Sequence, residues 1–137
     1  METIDHYLDG LRRVHNLHQY GWAVDVLSQE VYEKARYLEC FPGKYGFAVL
    51  HTDELVGVWS SGGNRLPTII RSAADKGGAK TVSCYDTGLV RMYERAGCTV
   101  VSRVPFLPSA AFEGWTESLH GKPDVVTLAL PAPSYME

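Results

Sequence analysis

Apolar positions change period several times along the chain, and each change marks an element. Ile4, Leu8, Leu11 and Val14 recur at helical spacing with polar residues between them, and Thr3 is placed to cap that helix. The pattern breaks at Tyr20-Gly21. Leu27, Val31, Ala35 and Leu38 then predict a second helix from about Asp25 to Leu38, with Glu30, Glu33, Lys34 and Arg36 off its apolar face. Pro42-Gly43 forces a turn. The continuous apolar runs Phe47-Ala48-Val49-Leu50 and Leu55-Val56-Gly57-Val58 flank Thr52-Asp53, so Tyr45 to His51 and Leu55 to Trp59 read as a hairpin. Runs of that kind need apolar cover on both faces of the sheet.

Ser60-Ser61-Gly62-Gly63-Asn64 opens a third helix, Arg65 to Lys76, with Leu66, Ile69, Ile70, Ala73 and Ala74 inward and Asn64 as its N-cap. Pro67 is tolerated because the first turn has no intrahelical acceptor for the N–H it lacks. Gly77-Gly78 ends the helix. Thr81 to Tyr85 reads as a strand, Asp86-Thr87-Gly88 as a break, and Leu89 to Ala96 as a short helix stopped by Gly97. A further strand covers Thr99 to Phe106. A strand, helix, strand crossover places Leu55 to Trp59 parallel to Thr81 to Tyr85. Pro105 to Lys122 is irregular, Asp124 to Leu130 forms a last strand that pairs back into the sheet, and the tail from Pro131 is expected to fray. The fold class is therefore α/β: a mixed sheet with helices on both faces and one crossover-linked parallel pair, in a single domain over residues 1–137.

A length of 137 residues with 45% hydrophobic content suits one core. A net charge of −3 argues against nucleic acid or an anionic membrane as partner. No apolar run spans a bilayer, and Met1 to Gly10 carries acidic residues rather than a signal peptide, so a soluble, cytoplasmic chain is expected. Cys40, Cys84 and Cys98 show no C-x-x-C spacing and read as buried thiols. His15 and His18 lie three apart on the first helix but have no identifiable further ligand, so no metal is assigned.

Asp86, Leu89 three residues on, and Tyr93-Glu94-Arg95-Ala96-Gly97-Cys98 resemble the motif that follows the fifth strand of GNAT-superfamily N-acetyltransferases: Asn, a small or apolar residue three later, then Tyr-Glu-Lys-x-Gly-Phe. Asp86 stands at the family's Asn position and Cys98 at its Phe position. The resemblance covers about Ile4 to Leu130 in topology and is specific in motif from Leu55 to Phe106; short GNAT-like proteins of bacteriophage genomes look similar. It implies five or six strands, acetyl-CoA as co-substrate, an amine acceptor, and Tyr93 as the acid that protonates the departing thiolate. It also makes Ser61, Gly62, Gly63, Asn64 and Arg65 the coenzyme pyrophosphate turn, with Asp86 lining the same site. A helix N-terminus preceded by glycines suits an anion for independent reasons. The family signature there is Arg/Gln-x-x-Gly-x-Gly/Ala; Gly63 falls on its last glycine, while Trp59 occupies the position three before Gly62. The family's extra N-terminal strand has room only if part of Arg36 to Lys44 is extended.

The resemblance makes Tyr20, Trp22 and Pro105 to Trp115 walls of the acceptor site, although Trp22 and Trp115 also read as ordinary half-buried aromatics. Tyr93 on an inward helix face reads equally as core, and Gly62-Gly63 as a plain turn. His51 and Glu54 match no family position, and no general base is assigned. Two functions stay open: an acetyl-CoA-dependent N-acetyltransferase, or a catalytically inactive GNAT-like accessory protein acting by protein binding or as a structural component, with a homodimer or a protein partner compatible with either. A nucleotide-binding domain of another family is disfavoured by the lack of G-x-G-x-x-G and Walker-type glycines.

Overall fold

A computed structural model describes residues 2–17, 29–61, 65–86, 88–105 and 124–134, with side chains 4–13 in the first helix. The elements run α1 (Glu2–Leu17), α2 (Gln29–Glu33), β1 (Tyr37–Phe41), β2 (Tyr45–Val49), β3 (Glu54–Ser60), α3 (Leu66–Asp75), β4 (Thr81–Tyr85), α4 (Gly88–Arg95), β5 (Thr99–Val104) and β6 (Val125–Ala129). The strands form one six-stranded sheet in the order β1-β2-β3-β4-β6-β5. Among the described residues only β3 and β4 pair in parallel, bridged by α3; the other neighbours are antiparallel.

Alternation along β2 divides the core. Phe47 and Val49 pack with Ile69, Ile70 and Ala73 of α3 and with Leu89, Val90 and Tyr93 of α4. Ala48, between them, packs with Ile4, Tyr7, Leu8 and Leu11 of α1, Tyr32 of α2 and Trp59 of β3. Helices therefore cover both faces, as the uninterrupted apolar runs require. α4 ends in a Schellman motif: Gly97 at φ +106 turns the chain, Cys98 N–H donates to the Tyr93 carbonyl at 3.0 Å and Gly97 N–H to that of Glu94 at 3.0 Å. The β2–β3 ladder steps from Gly46↔Trp59 to Ala48↔Val56, so β3 carries an extra residue around Gly57. Gly57 sits there at φ +59, and the buried Tyr7 hydroxyl donates to its carbonyl at 2.7 Å, tying α1 to the bulge.

Four sequence expectations need correction. The second helix stops at Glu33, and Tyr37 and Leu38 belong to β1, because pairing with Val49 and Ala48 of β2 outweighs their helical spacing. This is the extended stretch for which Arg36 to Lys44 had room. α1 starts at Glu2, so Thr3 lies inside its first turn rather than capping it. Arg65 is the N-cap residue of α3, without a side-chain cap bond, and Asn64 lies outside the described residues. The tail does not fray at Pro131: Ser134 donates its N–H and hydroxyl to the Asp75 carboxylate at 2.7 and 3.0 Å, and Arg71 reaches the Ala132 carbonyl at 3.1 Å. Among the described residues no helix is long and apolar enough to cross a membrane.

Candidate functional site

The parallel pair sets the geometry. β3 and β4 are in register only at Glu54↔Thr81 and Leu55↔Val82, reinforced by Lys80 N–H on the Asp53 carbonyl at 2.8 Å. Beyond those pairs β3 continues to Ser60 and β4 to Tyr85 without pairing with each other, so the sheet opens a wedge toward their C-terminal ends. The turn into α3 and the turn into α4 both leave from that open end, because parallel strands put their C-termini on one edge.

On one lip, Ser61 and Arg65 come together. Ser61 N–H donates to the Lys44 carbonyl at 2.9 Å, and Arg65 donates to the same carbonyl at 3.3 Å and to Ser61 Oγ at 3.4 Å. Gly62, Gly63 and Asn64, between them, lie outside the described residues, as do Tyr20, Trp22 and Trp115. On the other lip, Asp86 N–H donates to the Asp124 carbonyl at 2.7 Å, and the exposed Asp86 carboxylate pairs with Arg103 at 2.6 Å. Tyr93 is 5% exposed in the core beneath α4, and burial, then Cys84 and Cys98, push its phenol far above the usual range, so it is a neutral O–H. Burial pushes Cys84 up to about 12 and Cys98 up to about 11, which makes both inert thiols. Trp59, at the position of the family's Arg/Gln, is spent on the α1 face of the core.

His51 and Glu54 occupy the opposite end of β3 from Ser61. Seven strand residues at about 3.3 Å each separate them from the open end by roughly 20 Å, too far for proton transfer there. His15 and His18 have no described side chains; among the described residues no three His, Cys, Asp or Glu form a group that could hold a metal ion.

A second constellation was not anticipated. Glu39 of β1 faces α3, and its carboxylate accepts from the Tyr37 hydroxyl at 2.7 Å, the Tyr45 hydroxyl at 2.8 Å and the Ser72 hydroxyl at 3.0 and 3.2 Å. Burial alone would raise its pKa, but the three hydroxyl donors and Lys76 together hold it below the ordinary 4.5. Tyr37 is pushed up to about 12, by burial first and then by its bond to Glu39. The period-two pair Tyr37-x-Glu39 was the available signal, hidden by the helical reading of that stretch.

Because the folded pKa of Glu39 is depressed, its contribution is complete above the unfolded value and is lost as pH falls through the folded one. Glu39→Gln is therefore expected to cost about 1–2 kcal/mol near pH 7, and the gap to wild type should close in acid. Urea denaturation of both proteins at pH 7 and at successive values below 4.5 measures it; a gap that widens in acid refutes the charge assignment. Comparison with protein-family models, curated proteins and solved structures finds no match to this chain.

Proposed function

We propose that the chain is a GNAT-like N-acetyltransferase that moves an acetyl group from acetyl-CoA to an amine. The observation that carries the reading is the β3–β4 wedge, paired at two positions and open at the edge from which both turns leave. It offers a slot for an extended thioester, and Ser61 and Arg65 on one lip suit the phosphate end. In the reaction the amine nitrogen attacks the carbonyl carbon and the C–S bond breaks; the nitrogen gives up a proton and the sulfur takes one. A backbone N–H of the strands that line the wedge suits the developing oxyanion. Tyr93 lies in α4, the helix that follows the open end of β4, and carries the proton an acid needs.

Tyr93's burial favours a second reading, a GNAT-like accessory protein that acts by binding another protein. Thermal melts with acetyl-CoA, CoA and ATP separate the two. At about a hundred times its Kd a ligand stabilises by about 2.7 kcal/mol, several degrees in a domain of this size. The transferase reading expects that shift from acetyl-CoA and CoA but not from ATP, with amine turnover that falls in Tyr93→Phe while the melt stays put. No shift at saturating coenzyme leaves the accessory reading.

A further inference from the structure

The groove between α3 and the β1–β2 edge holds chemistry that acetyl transfer leaves unused. A cavity of about 470 Å³ opens there, with Glu39, Tyr45, Thr68, Arg71, Ser72 and Lys76 among its lining residues. That volume lies within the range of small-molecule sites. Among the described residues, each donor within hydrogen-bond distance of the Glu39 carboxylate is a neutral hydroxyl, from Tyr37, Tyr45 or Ser72. These fix its orientation and bring no positive charge.

The two lining cations do little to neutralise it. Lys76 Nζ stands 3.9 Å away on a side chain 66% exposed, whereas that of Glu39 is 17% exposed. Arg71 is committed elsewhere, to Asp75 at 3.5 Å and to the Ala132 carbonyl and Ser134 Oγ at 3.1 Å each. The cavity wall thus presents a fixed carboxylate whose nearest cation is loose and solvated. Beside it lies the Tyr45 ring, backed by Phe41 in a stacked pair at 6.1 Å. A fixed carboxylate with a loose counter-ion suits a cation, and an anion would meet Glu39 head on.

We propose that this cavity binds a small organic ammonium ion, whose charged nitrogen takes the place of Lys76 beside the Glu39 carboxylate. The site stands independently of the acetyl-transfer reading, since it needs neither the coenzyme nor the β3–β4 wedge. Lys76 is then an internal competitor, and removing it improves binding. A cavity that merely tolerates solutes gives no such gain.

The test is calorimetric titration of the full chain, without coenzyme, using choline and putrescine as probes and acetate as the anionic control. Choline or putrescine should bind and acetate should not. Lys76→Met should tighten the ammonium probe by about fivefold, the scale of a surface ion pair. Glu39→Gln should weaken it by about tenfold or more. Ser72→Ala, which keeps the charge, should stay much closer to wild type than Glu39→Gln. Absence of binding by both wild type and Lys76→Met overturns the proposal, as does Lys76→Met weakening the probe or Glu39→Gln leaving it unchanged. If Glu39→Gln fails to fold in a melting control, the direction of the Lys76→Met change decides alone.

Discussion

Gly57→Ala is expected to lose about 3–5 kcal/mol of stability, a large part of the roughly 5–15 kcal/mol a domain possesses. The backbone at Gly57 has φ +59, where an alanine costs about 1–2 kcal/mol. A Cβ there would stand 2.1 Å from the Tyr7 hydroxyl and 2.9 Å from the Tyr32 ring. Neither ring has room to retreat, since both are fully buried and meet edge to face at 5.2 Å. Overpacking of this kind costs about 1–3 kcal/mol, and displacing Tyr7 also breaks its bond to the Gly57 carbonyl. Urea denaturation should show the loss with the slope unchanged; a variant within about 1 kcal/mol of wild type would mean that the bulge does not hold this shape.

Gly10→Ala should also destabilise, by about 2–3 kcal/mol, although the same change inside a helix ordinarily gains up to about 1 kcal/mol. The reason is Trp59. A Cβ on Gly10 would lie 2.2 Å from its Cζ2 and 2.3 Å from its Cη2, and on the other side a Cβ on Gly46 would lie 2.5 Å from its Nε1. The indole is 2% exposed and fits between two residues that have no side chain. Combining Gly10→Ala with Trp59→Leu should therefore cost less than the sum of the two single changes, because the smaller side chain vacates the space. A Gly10→Ala protein more stable than wild type, or strict additivity, defeats this account.

The parts legible in the sequence were those carried by local signals. The hairpin across Thr52-Asp53, the crossover through α3 and the strand, helix, strand run ending in Gly97 all announce themselves by period and glycine placement. β1 did not, because Leu38 continues the helical spacing of Leu27, Val31 and Ala35, and only the partner strand makes Tyr37 to Phe41 extended. The fixed tail was hidden for a similar reason: Asp75 and Ser134 lie far apart in sequence, and nothing near Ser134 reports the carboxylate that receives it. At the wedge, motif spacing put Asp86 just ahead of α4 and Tyr93 on the inward face of that helix. The spacing carried no sign of the Arg103 guanidinium that pairs with Asp86, whereas the inward helix face already allowed the burial at which Tyr93 lies.

The strand order has a consequence for how the molecule is made. β6, last of the six strands in chain order, lies between β4 and β5 and pairs with both along its whole length. While the chain emerges from a ribosome, β4 therefore exposes a bare edge and β5 has no neighbour until residues 125–129 arrive. The β1 to β3 meander with α1 can settle early, and the second half must wait. Nascent chains stopped before Val125 would carry an open hydrogen-bonding edge beside apolar side chains, the state most prone to sticking to other chains.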